Sequence, residues 1–383
     1  METDNNNPTP PPPLSPPPLT APPRLTTTPP APKKNRGWKI FALVLLVLLV
    51  ISVFGNLGQL AERIANFGTK LDHTAGPHLE EVVLEDNDSH NKIAVVSVEG
   101  IISSQFEDGG YDLVELIKAQ LRRAEDDKRV RAVILKVNSP GGEVLASDEI
   151  YNLIADFQET DKEHNGKPVI ASMGSLAASG GYYVSAPCRW IVANELTITG
   201  SIGVIMHSWN YRGLMTKVGL TPEVYKSGKF KDMLSGERNP DEITPEERAM
   251  VQALIDETYQ KFKGVVAEGR KLANDENGKS GHKLAADWET YADGRVLSGT
   301  KALELGLVDE LGNFDTAVIR AEKIAGLKEG DSNLIEYQPR RDLADLFRLF
   351  GKTEARSLKV DLGMNFPKLQ AGMLYFLSPT FLH

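Results

Sequence analysis

The residues best suited to covalent chemistry lie between Val169 and Ser185, in the stretch V-I-A-S-M-G-S-L-A-A-S-G-G-Y-Y-V-S. Val169-Ile170-Ala171 predicts a buried strand. Small residues follow as far as Gly181, and Tyr182-Tyr183-Val184 predicts the body of a helix. A strand that passes into a helix through small residues lets another backbone approach closely. It also sets a hydroxyl and unpaired N–H groups at a helix N-terminus, where negative charge is favoured. A serine nucleophile with an oxyanion site beside it needs this arrangement. Ser179 is the expected nucleophile and the Gly180 N–H one expected oxyanion donor. The same residues would also serve a plain packing contact between helix and sheet, so the rest of the chain must decide.

A second glycine pair strengthens the chemical reading. Asn138-Ser139-Pro140-Gly141-Gly142 directly follows the apolar run Ala132 to Val137. In a parallel sheet, sites form beyond the carboxyl ends of the strands. If the two strands are neighbours, the N–H groups of Gly141, Gly142 and Gly180 can converge on one oxygen. Taken alone, N-S-P-G-G also reads as an ordinary turn.

A serine needs a base. Of the globular histidines, His164 and His282 fall in polar loops. His207 follows the strand-like Ile202 to Met206, but no acid nearby clearly orients it. The other candidates are the lysines of Lys226-Ser227-Gly228-Lys229-Phe230-Lys231-Asp232-Met233-Leu234. A lysine acts as a base only when neutral. Its pKa must fall from ~10.4 by roughly three units, about 4 kcal/mol, through burial or neighbouring positive charge. Apolar neighbours and companion lysines supply both. The bland alternative is a solvated basic loop.

Four stretches in this order, N-S-P-G-G, M-G-S-L-A-A-S-G-G-Y-Y, T-G-S-I-G-V and S-G-K-F-K-D, resemble the signal peptide peptidase A (protease IV) family over about residues 91 to 326. The resemblance implies a serine peptidase with a Ser–Lys dyad on a ClpP/crotonase-like fold, a parallel sheet flanked by helices. It makes Ser179 the nucleophile and Lys231, rather than Lys229, the general base. Ser201 would hold the lysine by a hydroxyl hydrogen bond, and Gly141, Gly142 and Gly180 would supply the oxyanion donors. One copy of the unit corresponds to the family's short form. That form implies a dome-shaped homo-oligomer, such as an octamer, with the serine and lysine of each site on adjacent subunits. The implied substrates are remnant signal peptides and other apolar, membrane-associated peptides.

The elements that must position these residues follow from periodicity. Ile93 to Val98, Ala132 to Val137, Val169 to Ser172 and Trp190 to Ala193 predict strands. Asp112 to Ala124 and Ser147 to Phe157 predict helices, with Leu113, Leu116, Ile117 and Leu121 on one face of the first. Strand–helix alternation implies a mainly parallel sheet covered by helices. Thr244-Pro245-Glu246-Glu247 is a capping box that opens a helix through about Glu268. Shorter helices are predicted over Ser298 to Leu305 and Phe314 to Ala325. These elements define a peptidase domain over 91–326.

The flanks read differently. Residues 1–36, dense in proline, predict an extended cytoplasmic tail. Lys33, Lys34 and Arg36 then precede 20 residues from Trp38 to Leu57, with Lys39 near the edge, ~30 Å as a helix, which matches a bilayer core. This predicts an uncleaved signal anchor over 37–57. The basic side stays cytoplasmic and the catalytic domain lies outside the inner membrane, in the periplasm or its equivalent. Residues 58–90 read as a stalk. Residues 327–383 form an extension with an amphipathic helix over Asp342 to Phe350 and an apolar end, Met373 to Leu377.

Composition narrows the classes. A net charge of -9 over 383 residues argues against a nucleic-acid partner. The single cysteine, Cys188, excludes an internal disulfide and a cysteine-rich metal site and reads as a packed thiol. No cofactor is implied. Two other classes compete with the peptidase: a crotonase-like acyl-CoA hydratase or isomerase, and an inactive membrane-anchored peptide-binding scaffold.

Overall fold

The computed structural model describes residues 41–49, 52, 77–104, 111–159, 166–339 and 374–377. The chain divides into two units, Met1–Thr74 and Ala75–His383. In the first, residues 41–49 are helical. The expected tail, most of the expected anchor and residues 58–76 of the expected stalk lie outside the described residues. So does the helix expected over Asp342 to Phe350. Among the described residues, no helix is long and apolar enough to cross a membrane.

The second unit is built on one sheet. Its strands are β1 (Leu79–Glu85), β2 (Lys92–Ile102), β3 (Val130–Glu143), β4 (Val169–Ala178), β5 (Trp190–Ala193) and β6 (Ile198–Gly200). The series continues with β7 (Ile205–Met206), β8 (Val296–Ser298), β9 (Glu310–Leu311), β10 (Asn333–Pro339) and β11 (Leu374–Leu377). The main order is β1-β10-β2-β3-β4-β5-β9. From β10 to β9 every neighbouring pair is parallel, and β6 also runs parallel to the end of β4. Among the described residues, only β1, β8 and β11 pair antiparallel with this set.

The helices are α1 (Leu113–Asp126), α2 (Val144–Gln158), α3 (Gly180–Ser185), α4 (Arg212–Lys217), α5 (Pro245–Glu276), α6 (Gly299–Glu304) and α7 (Phe314–Ile324). Two buried clusters flank the sheet. The larger holds Ile117 and Leu121 of α1, Ile150 and Ile154 of α2, Tyr182 and Tyr183 of α3 and Phe262 of α5. The smaller packs Ala317 and Ala321 of α7 on Ile93, Ile134 and Ile170. The architecture is therefore the expected α/β one, a mostly parallel sheet flanked by helices.

Local chemistry explains where the helices start. The Asp112 carboxylate accepts the Glu115 N–H at 2.7 Å to cap α1. Thr244 and Glu247 form the expected capping box of α5, with Pro245 at its first position. That helix runs on to Glu276, past the expected end near Glu268. Its last turns are fixed by Arg270, whose guanidinium is buried against the Asp309 carboxylate.

The sheet reaches beyond 91–326 at both ends. β1 comes from the segment read as a stalk, and β10 and β11 come from the extension. LEEVVLE in β1 alternates too weakly to announce a strand. It is held by β10 and by the buried Lys92, which pairs with Glu81 and Asp127. N-S-P-G-G is a second departure from expectation. It is extended strand at the end of β3 rather than a turn, because Gly141 and Gly142 pair with Ile101 and Ile102 of β2.

Candidate active site

Ser179 stands between β4 and α3, as the sequence predicts, and is buried. Its backbone has φ 56° and ψ -117°, a left-handed conformation that a residue with a Cβ adopts at a cost of about 1–3 kcal/mol. The neighbouring chain holds this turn in place. The Ser179 N–H donates to the Gly200 carbonyl at 2.8 Å, and its own carbonyl accepts from Tyr183 N–H at 2.9 Å. The serine hydroxyl does not cap the helix. Gly180 begins α3, so its N–H has no acceptor within the helix.

The two glycine loops meet here. A Cβ on Gly180 would lie 3.0 Å from Gly141 Cα, 3.1 Å from Gly142 N and 2.7 Å from Ser147 Oγ. Gly141 has φ +100°, and a Cβ there would fall 2.6 Å from Gly180 N. Only glycine fits at either position. The N-S-P-G-G strand is itself well supported. Asn138 Oδ1 accepts the Leu176 N–H at 3.2 Å, and Glu143 is fixed by Ser104 N–H and Oγ at 3.0 and 2.7 Å. Ser139 Oγ takes the Gly141 N–H at 3.1 Å. The Gly141 N–H is thereby committed locally.

Ser201 reaches the same place through β6. Ala178 pairs with Gly200, so Ser179 and Ser201 each stand one residue past a paired position on adjacent parallel strands. Ser201 is buried, has φ 50°, and donates its N–H to the Arg295 carbonyl at 2.8 Å. The structure thus brings together Ser179, Ser201, Gly141, Gly142 and Gly180.

Lys231 belongs to an exposed loop, and no contact joins it to Ser179 within the chain. The ion pairs of that loop separate its three lysines. Lys226 pairs with Asp232 at 2.7 Å and Lys229 with Glu246 at 2.5 Å. The Lys231 ammonium has no partner among the described residues. Arg238 ties the loop to α5 through Asp232 and Glu247. The Arg238 hydrogen bond, with help from the Thr244 N–H, lowers the Glu247 carboxyl from 4.5 to about 2. A lowered folded-state pKa means that this tie contributes fully above about pH 4.5 and is lost as pH falls through about 2. Amide exchange across residues 226–238 should accordingly stay constant from pH 7 to 5 after correction for intrinsic rates. It should rise in a Glu247→Gln variant, which loses the tie at every pH.

The remaining candidates recede. His207 is exposed, His282 is exposed and offers only its backbone N–H to Asp309 Oδ1, and His164 lies outside the described residues. Cys188 is fully buried and burial pushes its thiol pKa up, so it is a packed thiol as expected. Sequence reasoning passed over Asp148. Its carboxylate accepts the Tyr183 hydroxyl at 2.6 Å and the Lys261 ammonium at 2.8 Å, which locks α3 to α2 and α5. Burial, and then this hydrogen bond, push the Tyr183 phenol up and keep it a donor.

Comparison with known proteins decides the class. Residues 161–328 match the model of Peptidase family S49, and residues 89–193 match that of Clp protease. The chain is 37% identical over 280 residues to a Synechocystis protein named "Putative protease", covering 72% of this chain and 89% of that one. It is also 37% identical over 264 residues to "Putative signal peptide peptidase SppA" of Enterococcus faecium, covering 68% and 71%. The chain belongs to peptidase family S49. It is a serine protease with a ClpP-like α/β fold, and the hydratase and inactive-scaffold readings fall away. "Protease 4" of Haemophilus influenzae is 37% identical over 249 residues, 64% of this S49 chain but 37% of that longer protein. Every residue the sequence singled out, from Gly141 to Lys231, falls inside one or both of the matched regions.

Proposed function

We propose that this S49 protease is a membrane-anchored, self-assembling endopeptidase that cleaves apolar peptides, remnant signal peptides among them, with a Ser179–Lys231 dyad. The single observation that carries the dyad is the strained, buried Ser179 set beside Gly180, Gly142 and Ser201, while of the three loop lysines the Lys231 ammonium has no partner among the described residues. Neutral Lys231 takes the Ser179 proton as Oγ attacks the scissile carbonyl, and Gly180 and Gly142 N–H groups stabilise the oxyanion. The lysine passes that proton to the leaving amine as the C–N bond breaks, leaving an acyl-serine. Water then attacks the ester, giving its proton to Lys231, and the proton returns to Oγ as the acid departs. Ser201 accepts or donates a hydrogen bond that keeps the lysine aimed.

A general-base lysine needs burial or neighbouring positive charge, and Lys231 is exposed in the single chain, so the proposed site has a second subunit cover it. The segment around the lysine loop is suited to that role. Trp209, Leu214, Val218, Leu220 and Tyr225 are exposed there, apolar side chains that a neighbouring subunit would cover. The proposed site therefore joins Ser179 of one protomer to Lys231 of the next. The proposed anchor is the apolar run Trp38 to Leu57, with its basic flank cytoplasmic and the protease domain outside.

The test is labelling of the detergent-solubilised full chain with a fluorophosphonate, followed by mass spectrometry. An adduct on Ser179 that disappears in Ser179→Ala is expected. An unlabelled Ser179 in a folded oligomer would overturn the assignment.

A further inference from the structure

Two cations close over a carboxylate that stands next to the proposed base. Asp232 directly follows Lys231 in the chain. The Met233 N–H donates to the Phe230 carbonyl at 3.0 Å and the Ser235 N–H to the Asp232 carbonyl at 3.1 Å, so both residues lie in one tight run of turns. The Asp232 side chain is only 12% exposed, and both of its oxygens are taken. Oδ1 accepts the Lys226 ammonium at 2.7 Å, and Oδ2 faces the Arg238 guanidinium at 3.6 Å. The Lys226 hydrogen bond holds the Asp232 carboxyl below its ordinary value, so it is an anion at any pH where a lysine could serve as base.

The other charges packed around this turn are already matched. Lys229 of the same loop pairs with Glu246 of α5 at 2.5 Å. Arg238 has a second carboxylate in Glu247 of α5, and its guanidinium also donates to the Glu242 carbonyl at 2.5 Å. Glu247 accepts the Thr244 N–H at 2.8 Å. The Arg212 charge of α4 acts on the Glu242 carboxyl, and Glu237 lies 3.5 Å from the Tyr211 hydroxyl. Lys226, Arg238, Asp232 and Glu247 therefore form a neutral set of two cations and two anions. Loss of either cation would leave a net negative charge beside Lys231.

A carboxylate beside a lysine favours the ammonium and so opposes its use as a base. Lys231 and Asp232 are neighbours in one turn, yet Asp232 has two cationic partners and the Lys231 ammonium has none among the described residues. Exclusion of water by a neighbouring subunit would strengthen every such charge effect. We propose that Lys226 and Arg238 are positioning residues that sequester Asp232, so that its charge neither pairs with Lys231 nor holds the proton on it. The inference rests on Lys231 being the base. It adds why this lysine, of the three, can give up its proton: Lys226 and Lys229 are each locked to a carboxylate.

The test follows kcat/KM against pH for the detergent-solubilised full chain on an internally quenched apolar peptide. Lys226→Met is the informative variant. The Lys226 side chain is 35% exposed, and its ammonium is held by Asp232 and, at 3.4 Å, by the Lys229 carbonyl. The variant should move the acid limb of the profile, which reports deprotonation of the base, up by about one pH unit, a roughly tenfold loss at a fixed pH on that limb. Arg238→Met should move it the same way. Adding Asp232→Asn to Lys226→Met should bring the limb back, because asparagine keeps the shape and removes the charge. A loop merely loosened by the loss of Lys226 would not be repaired by a second lost contact. An unshifted limb in Lys226→Met, or a shifted limb that Asp232→Asn leaves in place, would overturn the proposal. Lys231→Ala is read alongside. If it is inactive while the Lys226→Met limb is unshifted, the dyad stands and the sequestration falls. If it is active, the dyad falls and takes the proposal with it. Should Arg238→Met, which also strips Glu247 of its partner, fail to fold, Lys226→Met and its double variant decide the matter.

Discussion

Ser179→Ala should reduce peptide hydrolysis by at least about 10⁴-fold, the scale of losing a serine nucleophile. The variant should fold normally, because the hydroxyl caps no helix and alanine meets the same backbone strain at φ 56°. Lys231→Ala should lose activity on the same scale, since base and nucleophile act as a unit. The stability of the separate subunit should change by less than about 0.5 kcal/mol, because within one chain the side chain is exposed and unpaired among the described residues. The two inactive proteins distinguish a shared site from a private one. Mixed through reversible dissociation, they should regain activity if Ser179 and Lys231 come from different subunits. In a random one-to-one assembly roughly a quarter of the sites would carry both intact residues. No recovery after verified subunit exchange would place both groups in one chain and return Lys229 and His207 to consideration as the base.

The largest effect on stability is expected at Arg270. Its guanidinium and the Asp309 carboxylate are both 1% exposed and are paired, and the guanidinium also donates to the Cys188 carbonyl at 3.3 Å. Asp309 in turn accepts the Ile191 N–H at 2.9 Å, which joins α5, β5 and the segment before β9. Arg270→Met removes one charge and strands the other in an apolar interior. Breaking a buried pair in this way costs about 3–5 kcal/mol. Chemical denaturation at pH 7 should show that loss. A change below about 1 kcal/mol would mean that water reaches Asp309 once the arginine is gone. Arg270→Lys should recover only part of the loss, since an ammonium cannot reproduce the guanidinium's two separate contacts.

Periodicity, small residues and glycine pairs were enough to predict the layered α/β fold and Ser179 at a strand-to-helix turn. These are local signals. Apolar spacing reports which face of an element is buried, and the residues that fit a strained turn are few. The capping box at Thr244 was legible for the same reason, because its hydrogen bonds span only three residues.

Other features depend on partners far apart in the chain, and spacing along the sequence does not encode them. N-S-P-G-G reads as a turn by residue type, yet it is strand because β2 lies beside it. The acidic segment Leu79–Glu85 is a strand only because β10 returns from more than two hundred residues away to pair with it. Met373 to Leu377 shows apolar character, but nothing in five residues reveals which surface they cover. The tertiary structure answers that by pairing β11 with β3 and β7. The sequence alone determined which groups this protease could use for its chemistry. Only the packing of β3, β4 and β6 decided that Ser179, Ser201 and the three glycines meet, because convergence is a property of strand order and register rather than of any one stretch.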